Sequence, residues 1–399
     1  MKFRTHGRPA TCGAKWPFLA AFAFSCVLFW WVPSIIFRML LNVDDPVQQW
    51  ALIVSAVGLL TFAIGYLLPP LHFRPSLPSA LLDSCEKFAY KGTIIIAIPA
   101  VLVSLQYAYS RLGVPYGSGD PIPSAYQAGL YGHMLVGFMF LGLASLEKGN
   151  GRKIAVAIVL IVLPRLLVSL QGGRFFLAQA LVPMILIALS RGWLRMSPKR
   201  AFQVVGLALV IVFVPALTRG DKVLGQDEIV AFFVTGSTLR VFQDNKDLNL
   251  SDQCPPLLVS MTAKLIPYGL LNVCTVDIWG EKGLPATLDR ILADNDPTTE
   301  GTLNGPGSNY LLELYLTGGV AAVILGSLLF GFSARCFVSW IRTPSLFAGI
   351  WAQCLTRALL APRGNLGYVY EQVPVLVLAS LAVAAFVYFW KFQLRTASA

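Results

Sequence analysis

The sequence predicts an all-α fold, a polytopic integral membrane protein of about ten transmembrane helices with one large loop on the outer, periplasm-like side. Three observations predict it. Of 399 residues, 56% are hydrophobic and only 13% charged, with mean hydropathy +0.67, so lipid rather than water is the solvent. The apolar residues fall into separate runs long enough, or nearly so, to cross a bilayer. The basic residues crowd into alternate connections between those runs. The net charge of +11 is therefore a property of loops, and no nucleic-acid partner is implied.

The first span runs from Pro17 to Phe37, behind Lys2, Arg4, Arg8 and Lys15. It is too long for the apolar core of a signal peptide and has no clear small-residue cleavage site, so it reads as an uncleaved anchor. Val47–Leu68, Gly92–Tyr109 and Ala125–Leu146 follow. Ile154–Leu170 and Phe175–Ser190 form a hairpin closed by Gln171-Gly172-Gly173-Arg174, and Phe202–Leu217 is the seventh span. Residues 1–217 thus hold helices one to seven, 218–307 the large loop, and 308–399 the last three spans, Tyr310–Ala334, Leu346–Ala361 and Val373–Trp390. With both termini in the cytoplasm, the inner segments carry 18 of the 31 basic residues and only Asp83, Glu86 and Glu147 of the 20 acids. The opposite orientation breaks the positive-inside rule.

On the cytoplasmic side the longest connection is Pro69–Lys91. That leaves no room for a P-loop ATPase or a nucleotide-sugar domain, so any chemistry draws on a substrate already in the membrane. The outer loop carries 7 basic and 12 acidic residues. Within it Ile229, Val230, Phe232, Phe233, Leu239, Val241 and Phe242 suit an amphipathic or membrane-lying helix. Pro256–Val273 is apolar but interrupted by Lys264 and Pro267, which fits a surface or re-entrant helix. Of the seven cysteines only Cys254 and Cys274 fall in this loop, where they are expected to form a disulfide, the alternative being two free thiols.

The six cations on outer helix ends and short loops, Arg38, Arg111, Arg165, Arg174, Arg357 and Arg363, are all arginine, whereas the cytoplasmic set mixes ten arginines with eight lysines. A guanidinium is always charged and grips phosphate oxygens bidentately. Arg165 and Arg357 lie within spans five and nine, about a turn below their outer ends; Arg174 and Arg363 sit at the mouths of neighbouring hairpins. They either meet a phosphate-bearing ligand or snorkel to ordinary lipid headgroups. Gly172 and Gly173 either let backbone N–H groups approach an anion beside Arg174 or simply close a tight turn. Asn309 and Glu313 open span eight, where Glu313 is the only carboxylate inside a predicted span. It is either a general base or an ion-pair partner that orients an arginine. His6 and His72 are cytoplasmic and His133 is mid-span, so no histidine base faces outward, and no cysteine or histidine cluster has metal-ligand spacing.

This pattern resembles the O-antigen (Wzy-type) polymerases, membrane glycosyltransferases of the Gram-negative inner membrane. The resemblance is architectural over the whole chain. Its more specific parts are the Gln171–Arg174 turn with Phe175 and Phe176, the long outer loop, and the stretch from Pro297 to Gly319 through Gly307, Glu313 and Gly318. It implies transfer of a growing glycan from undecaprenyl pyrophosphate onto a lipid-linked repeat unit, with a flippase and a chain-length regulator as partners and no cofactor. One arrangement associated with such polymerases, an arginine and a glycine separated by ten loop residues, is absent: Arg219 and Arg240 meet Val230 and Ser251 at that spacing.

The expected mechanism is metal-independent: arginines hold the pyrophosphate leaving group while an acceptor hydroxyl attacks the anomeric carbon. Glu313, Arg357 and Arg363 form the expected catalytic group, and Arg165, Gly172, Gly173, Arg174, Arg219 and Asn309 the substrate-binding group. The rivals are an O-antigen ligase, disfavoured because such enzymes usually carry an outer-loop histidine, and a flippase or transporter of the lipid-linked unit. A transporter is expected to have short loops and midplane charges.

Overall fold

The computed structural model describes residues 15–32, 49–71, 78–110, 124–146, 149–170, 174–194, 242, 309–364, 366–370 and 373–397. The described elements are helical, with no strand among them. In chain order they are α1 (Lys15–Cys26, continued by a π-helical turn Val27–Trp31), α2 (Gln49–Leu67), α3 (Ser79–Ser110), α4 (Ser124–Leu143), α5 (Gly151–Leu170), α6 (Arg174–Ser190), α7 (Tyr310–Trp340), α8 (Ala348–Ala358), a 3₁₀ turn (Ala361–Arg363), α9 (Leu366–Tyr370) and α10 (Val373–Ala397). Among the described residues α2, α3 and α7 are long and apolar enough to cross a membrane, and shorter apolar helices lie at Trp16–Trp31, Gly132–Leu143, Leu177–Ser190 and Leu376–Trp390. The expected seventh span, Phe202–Leu217, lies outside the described residues, as does the large loop apart from Phe242.

The tightest pairing is α2 with α7. A Cβ on Gly65 would overlap the Leu328 carbonyl, and one on Gly331 would overlap the carbonyl of Phe62. Small residues at these crossings let the two backbones touch, which is how helices associate where lipid provides no hydrophobic drive. Aromatic rings fill the seam with α1, Phe22 stacking on Phe62 at 3.8 Å between centroids. At the start of this pair Phe242, fully buried, packs its ring against Trp50 at 5.1 Å and Tyr315 at 5.4 Å, so the large loop touches the bundle here.

Helices α3, α4 and α5 form a second group, with α10 against α3, while α8 packs on α4, α6 and α7. Three elements differ from the expected spans. Helix α3 begins at Ser79 rather than Gly92, so most of the expected Pro69–Lys91 connection is helical. Its buried residues Cys85, Glu86, Ala89, Thr93 and Ala97 recur at three- to four-residue spacing, which makes the extension one continuous packed face. Glu86 is thereby a second buried carboxylate in a long apolar helix, hydrogen-bonded by the Asn150 side chain. Helix α7 extends to Trp340 instead of Ala334 and is broken at Gly318 and Gly319, where Gly319 has φ +62°. The expected ninth span, Leu346–Ala361, contains an α-helix of only 11 residues. At 1.5 Å per residue that is about 16 Å, roughly half a hydrocarbon core.

The C-terminal ends of α4, α6 and α7 meet at Arg191. Its guanidinium donates to the carbonyls of Leu141 (3.0 Å), Gly142 (2.6 Å), Ala144 (2.8 Å) and Ile341 (3.1 Å), with a longer contact to Thr343 at 3.4 Å. The Trp193 ring lies 5.3 Å away. Burial pulls the Arg191 pKa down to about 10, which still leaves it charged at neutral pH. The Ser345 N–H donates to the Gly142 carbonyl, so α8 starts from this same end and runs antiparallel to α6.

Candidate functional site

At the opposite end of the bundle, side chains of α1 and α7 hold the segment from Leu359 to Leu366. The Ser25 hydroxyl donates to the Leu359 carbonyl (2.5 Å), and the Trp30 indole N–H donates to the Pro362 carbonyl (3.0 Å). Glu313 Oε2 accepts the Leu366 N–H at 2.7 Å. Arg363, at the close of the 3₁₀ turn, is thus flanked by two anchored backbone groups. The Trp30 anchor depends on the π-helical turn that ends α1, an insertion that re-aims side chains relative to an α-helix.

Glu313 is fully buried in the first turn of α7. That turn forms because Asn309 caps it: the Asn309 side-chain oxygen accepts the Leu312 N–H at 2.7 Å. Both residues belong to the sequence-predicted set, and the structure brings them beside the Arg363 segment. Glu313 thus holds a backbone amide, a contact the sequence did not suggest. The Thr317 hydroxyl donates to the Glu313 carbonyl, giving that oxygen a partner just before the break at Gly318.

Arg357 lies in the last turn of α8 and is 2% exposed. On the same helix, one turn earlier, Gln353 is also buried and donates from Nε2 to the Gln179 carbonyl of α6 at 3.3 Å. Helix α6 is opened by Arg174, and because α6 and α8 are antiparallel, Arg174 and Arg357 lie toward the same end of the pair. The side-chain amide of Gln179 is enclosed, and neither its nitrogen nor its oxygen has a hydrogen-bond partner among the described residues. Burial of such an amide without a partner costs roughly 2–7 kcal/mol.

Arg165 stands elsewhere. It is 1% exposed in α5 and donates to the Leu130 carbonyl of α4 at 2.8 Å, near the buried His133. This contact fastens two helices, and burial separates Arg165 from a snorkelling role. Gly172, Gly173, Arg219, Cys254 and Cys274 lie outside the described residues. Cys26, Cys85, Cys336 and Cys354 are buried.

Sequence reasoning missed Ser25, Trp30, Gln179 and Gln353. A tryptophan or serine in an apolar run reads as ordinary span composition, and only the distant partners Leu359 and Pro362 reveal a task. The two glutamines did carry a signal, because a primary amide inside an apolar helix needs a partner. No protein-family model, no curated protein and no solved structure matches this chain.

Proposed function

We propose that this chain is a bacterial inner-membrane glycosyltransferase of the O-antigen polymerase kind, joining undecaprenyl-pyrophosphate-linked repeat units at the outer face. The observation that carries the reading is the arrangement around α8: a buried Arg357 ends a half-length helix, and the next segment, bearing Arg363, is anchored by Trp30 and Glu313. A buried Arg357 at the end of a half-length helix, with a second arginine on the segment that follows, suits an anionic group that enters from lipid. In the proposed reaction the acceptor hydroxyl oxygen bonds to the anomeric carbon as the bond from that carbon to the pyrophosphate oxygen breaks. The hydroxyl proton passes to Glu313 or to the departing pyrophosphate. Arginines at fixed positions stabilise the charge that builds on the leaving group. The energy is that of the pyrophosphate linkage, so no nucleotide is needed.

The proposed topology has ten crossings, cytoplasmic termini and a periplasmic loop at Thr218–Gly307. Support comes from the unequal distribution of basic residues and from the Arg191 cluster, where the ends of α4, α6 and α7 expected in the cytoplasm meet. The ninth crossing is then discontinuous, made of α8, the 3₁₀ turn and α9 in series. One observation favours a second reading, a transporter of the lipid-linked unit: α7 is broken at Gly318 and Gly319 and α8 is half-length, and interrupted helices mark many transporter sites.

Deletion of the gene from its host, followed by electrophoresis of surface lipopolysaccharide, separates the readings. A core bearing a single repeat unit is the expected result. A core with no repeat unit and lipid-linked polymer accumulating on the outer face indicates a ligase; lipid-linked units retained on the inner face indicate a transporter. An unchanged ladder overturns all three.

A further inference from the structure

We propose that the interface of α6 and α8 contains a sugar subsite, centred on the side-chain amide of Gln179, a residue whose main-chain carbonyl is held by Gln353, one helical turn from Arg357. The inference rests on the reading that Arg357 meets the lipid pyrophosphate. Its starting point is the enclosed Gln179 amide, which has an acceptor oxygen and a donor nitrogen without partners among the described residues. The Gln353 side-chain amide does not satisfy it, since its Nε2 donates to the Gln179 main-chain carbonyl instead.

The chemistry of the missing partner follows from the amide itself. A group that satisfies both ends must carry a donor next to an acceptor. A phosphate offers only acceptors and an isoprenoid tail offers neither. A sugar ring offers both, through neighbouring hydroxyls or an acetamido group. Gln353 and Arg357 are four residues apart on one face of α8, about 5–6 Å between their Cβ atoms. A ring bonded directly to a pyrophosphate held at Arg357 therefore falls within reach of the Gln179 and Gln353 level. The subsite would read the first sugar of the lipid-linked unit, the one next to the bond that breaks.

The test uses the full chain in lipid nanodiscs, because maltoside detergents carry the competing chemistry. Gln179→Met keeps the side-chain length and removes both polar ends. Without ligand, its melting temperature should rise by roughly 1–4 °C, since an enclosed, unpartnered amide has been replaced by an apolar chain. Wild type should bind farnesyl-pyrophosphate-linked N-acetylglucosamine about tenfold more tightly than farnesyl pyrophosphate, and Gln179→Met should lose that preference while binding farnesyl pyrophosphate as before. A lower melting temperature in Gln179→Met overturns the proposal, as it would if an enclosed water completed the amide. So does a preserved preference, or the absence of one in wild type. Arg357→Lys tests the underlying reading separately: it should weaken both lipids together, and unchanged binding of farnesyl pyrophosphate would remove Arg357 from the pyrophosphate while leaving the Gln179 result to stand.

Discussion

The two ends of the helix bundle handle charge in opposite ways. At one end Arg191 turns its guanidinium on backbone carbonyls from the α4 terminus and the α7–α8 connection, so the charged side chain is itself the fastening. At the other end the fastening is done by a hydroxyl, an indole and a carboxylate, and an arginine-bearing segment is the thing fastened. The contrast shows that burial of an arginine does not by itself mark a site. What distinguishes the ends is whether the arginine holds the backbone or the backbone is held around it.

Substitutions sharpen this contrast. The largest loss is expected for Arg191→Ala, which strips carbonyl partners from two chain segments at once and should cost on the order of 3–5 kcal/mol, measured by thermal unfolding in nanodiscs. If stability is unchanged, Arg191 is not the fastening and the comparison fails. Gly331→Ala forces a Cβ onto the Phe62 carbonyl and should cost about 1–3 kcal/mol in the same measurement, without altering chemistry in the protein that does fold. Trp30→Phe keeps the ring but removes the donor to Pro362; it should cost about 1–2 kcal/mol and reduce polymer formation more than that loss of folded protein explains. Glu313→Gln should be the mildest for stability, under about 1 kcal/mol, because the amide oxygen can still accept the Leu366 N–H. Its polymer should nonetheless be shortened if the carboxylate charge matters. Full-length polymer at wild-type protein level would rule out both the base and the ion-pair roles of Glu313.

Much of the helical architecture is legible in the sequence because apolar runs bounded by charge or glycine leave few alternatives. Val47–Leu68 and Phe175–Ser190 differ from α2 and α6 by at most two residues at either end. The first thirteen residues of α3, Ser79–Lys91, are hidden by Lys87 and Lys91, which resemble loop residues but sit on the exposed face of the same helix whose other side buries Glu86 and Ala89. The shortness of α8 was hidden for the opposite reason, since Leu346–Ala361 is apolar enough to cross and only contacts with α4, α6 and α7 show a buried half-helix. Glu313 and Asn309 could be singled out because carboxylates and caps are conspicuous at a span's start. The anchors Ser25 and Trp30 could not, because their partners lie more than three hundred positions away.

That separation also governs when the site can exist. Ser25 and Leu359 are 334 residues apart, and Trp30 and Pro362 are 332 apart. At synthesis rates of about 5–20 residues per second, roughly 17–66 s pass between the appearance of the first partner and the second. During that interval α1 is already made while the Leu359 and Pro362 carbonyls that its hydroxyl and indole hold do not yet exist. The arginine segment is therefore among the last parts to be locked, and a nascent chain stalled before Leu366 would have α1 to α8 without the end that is proposed to act.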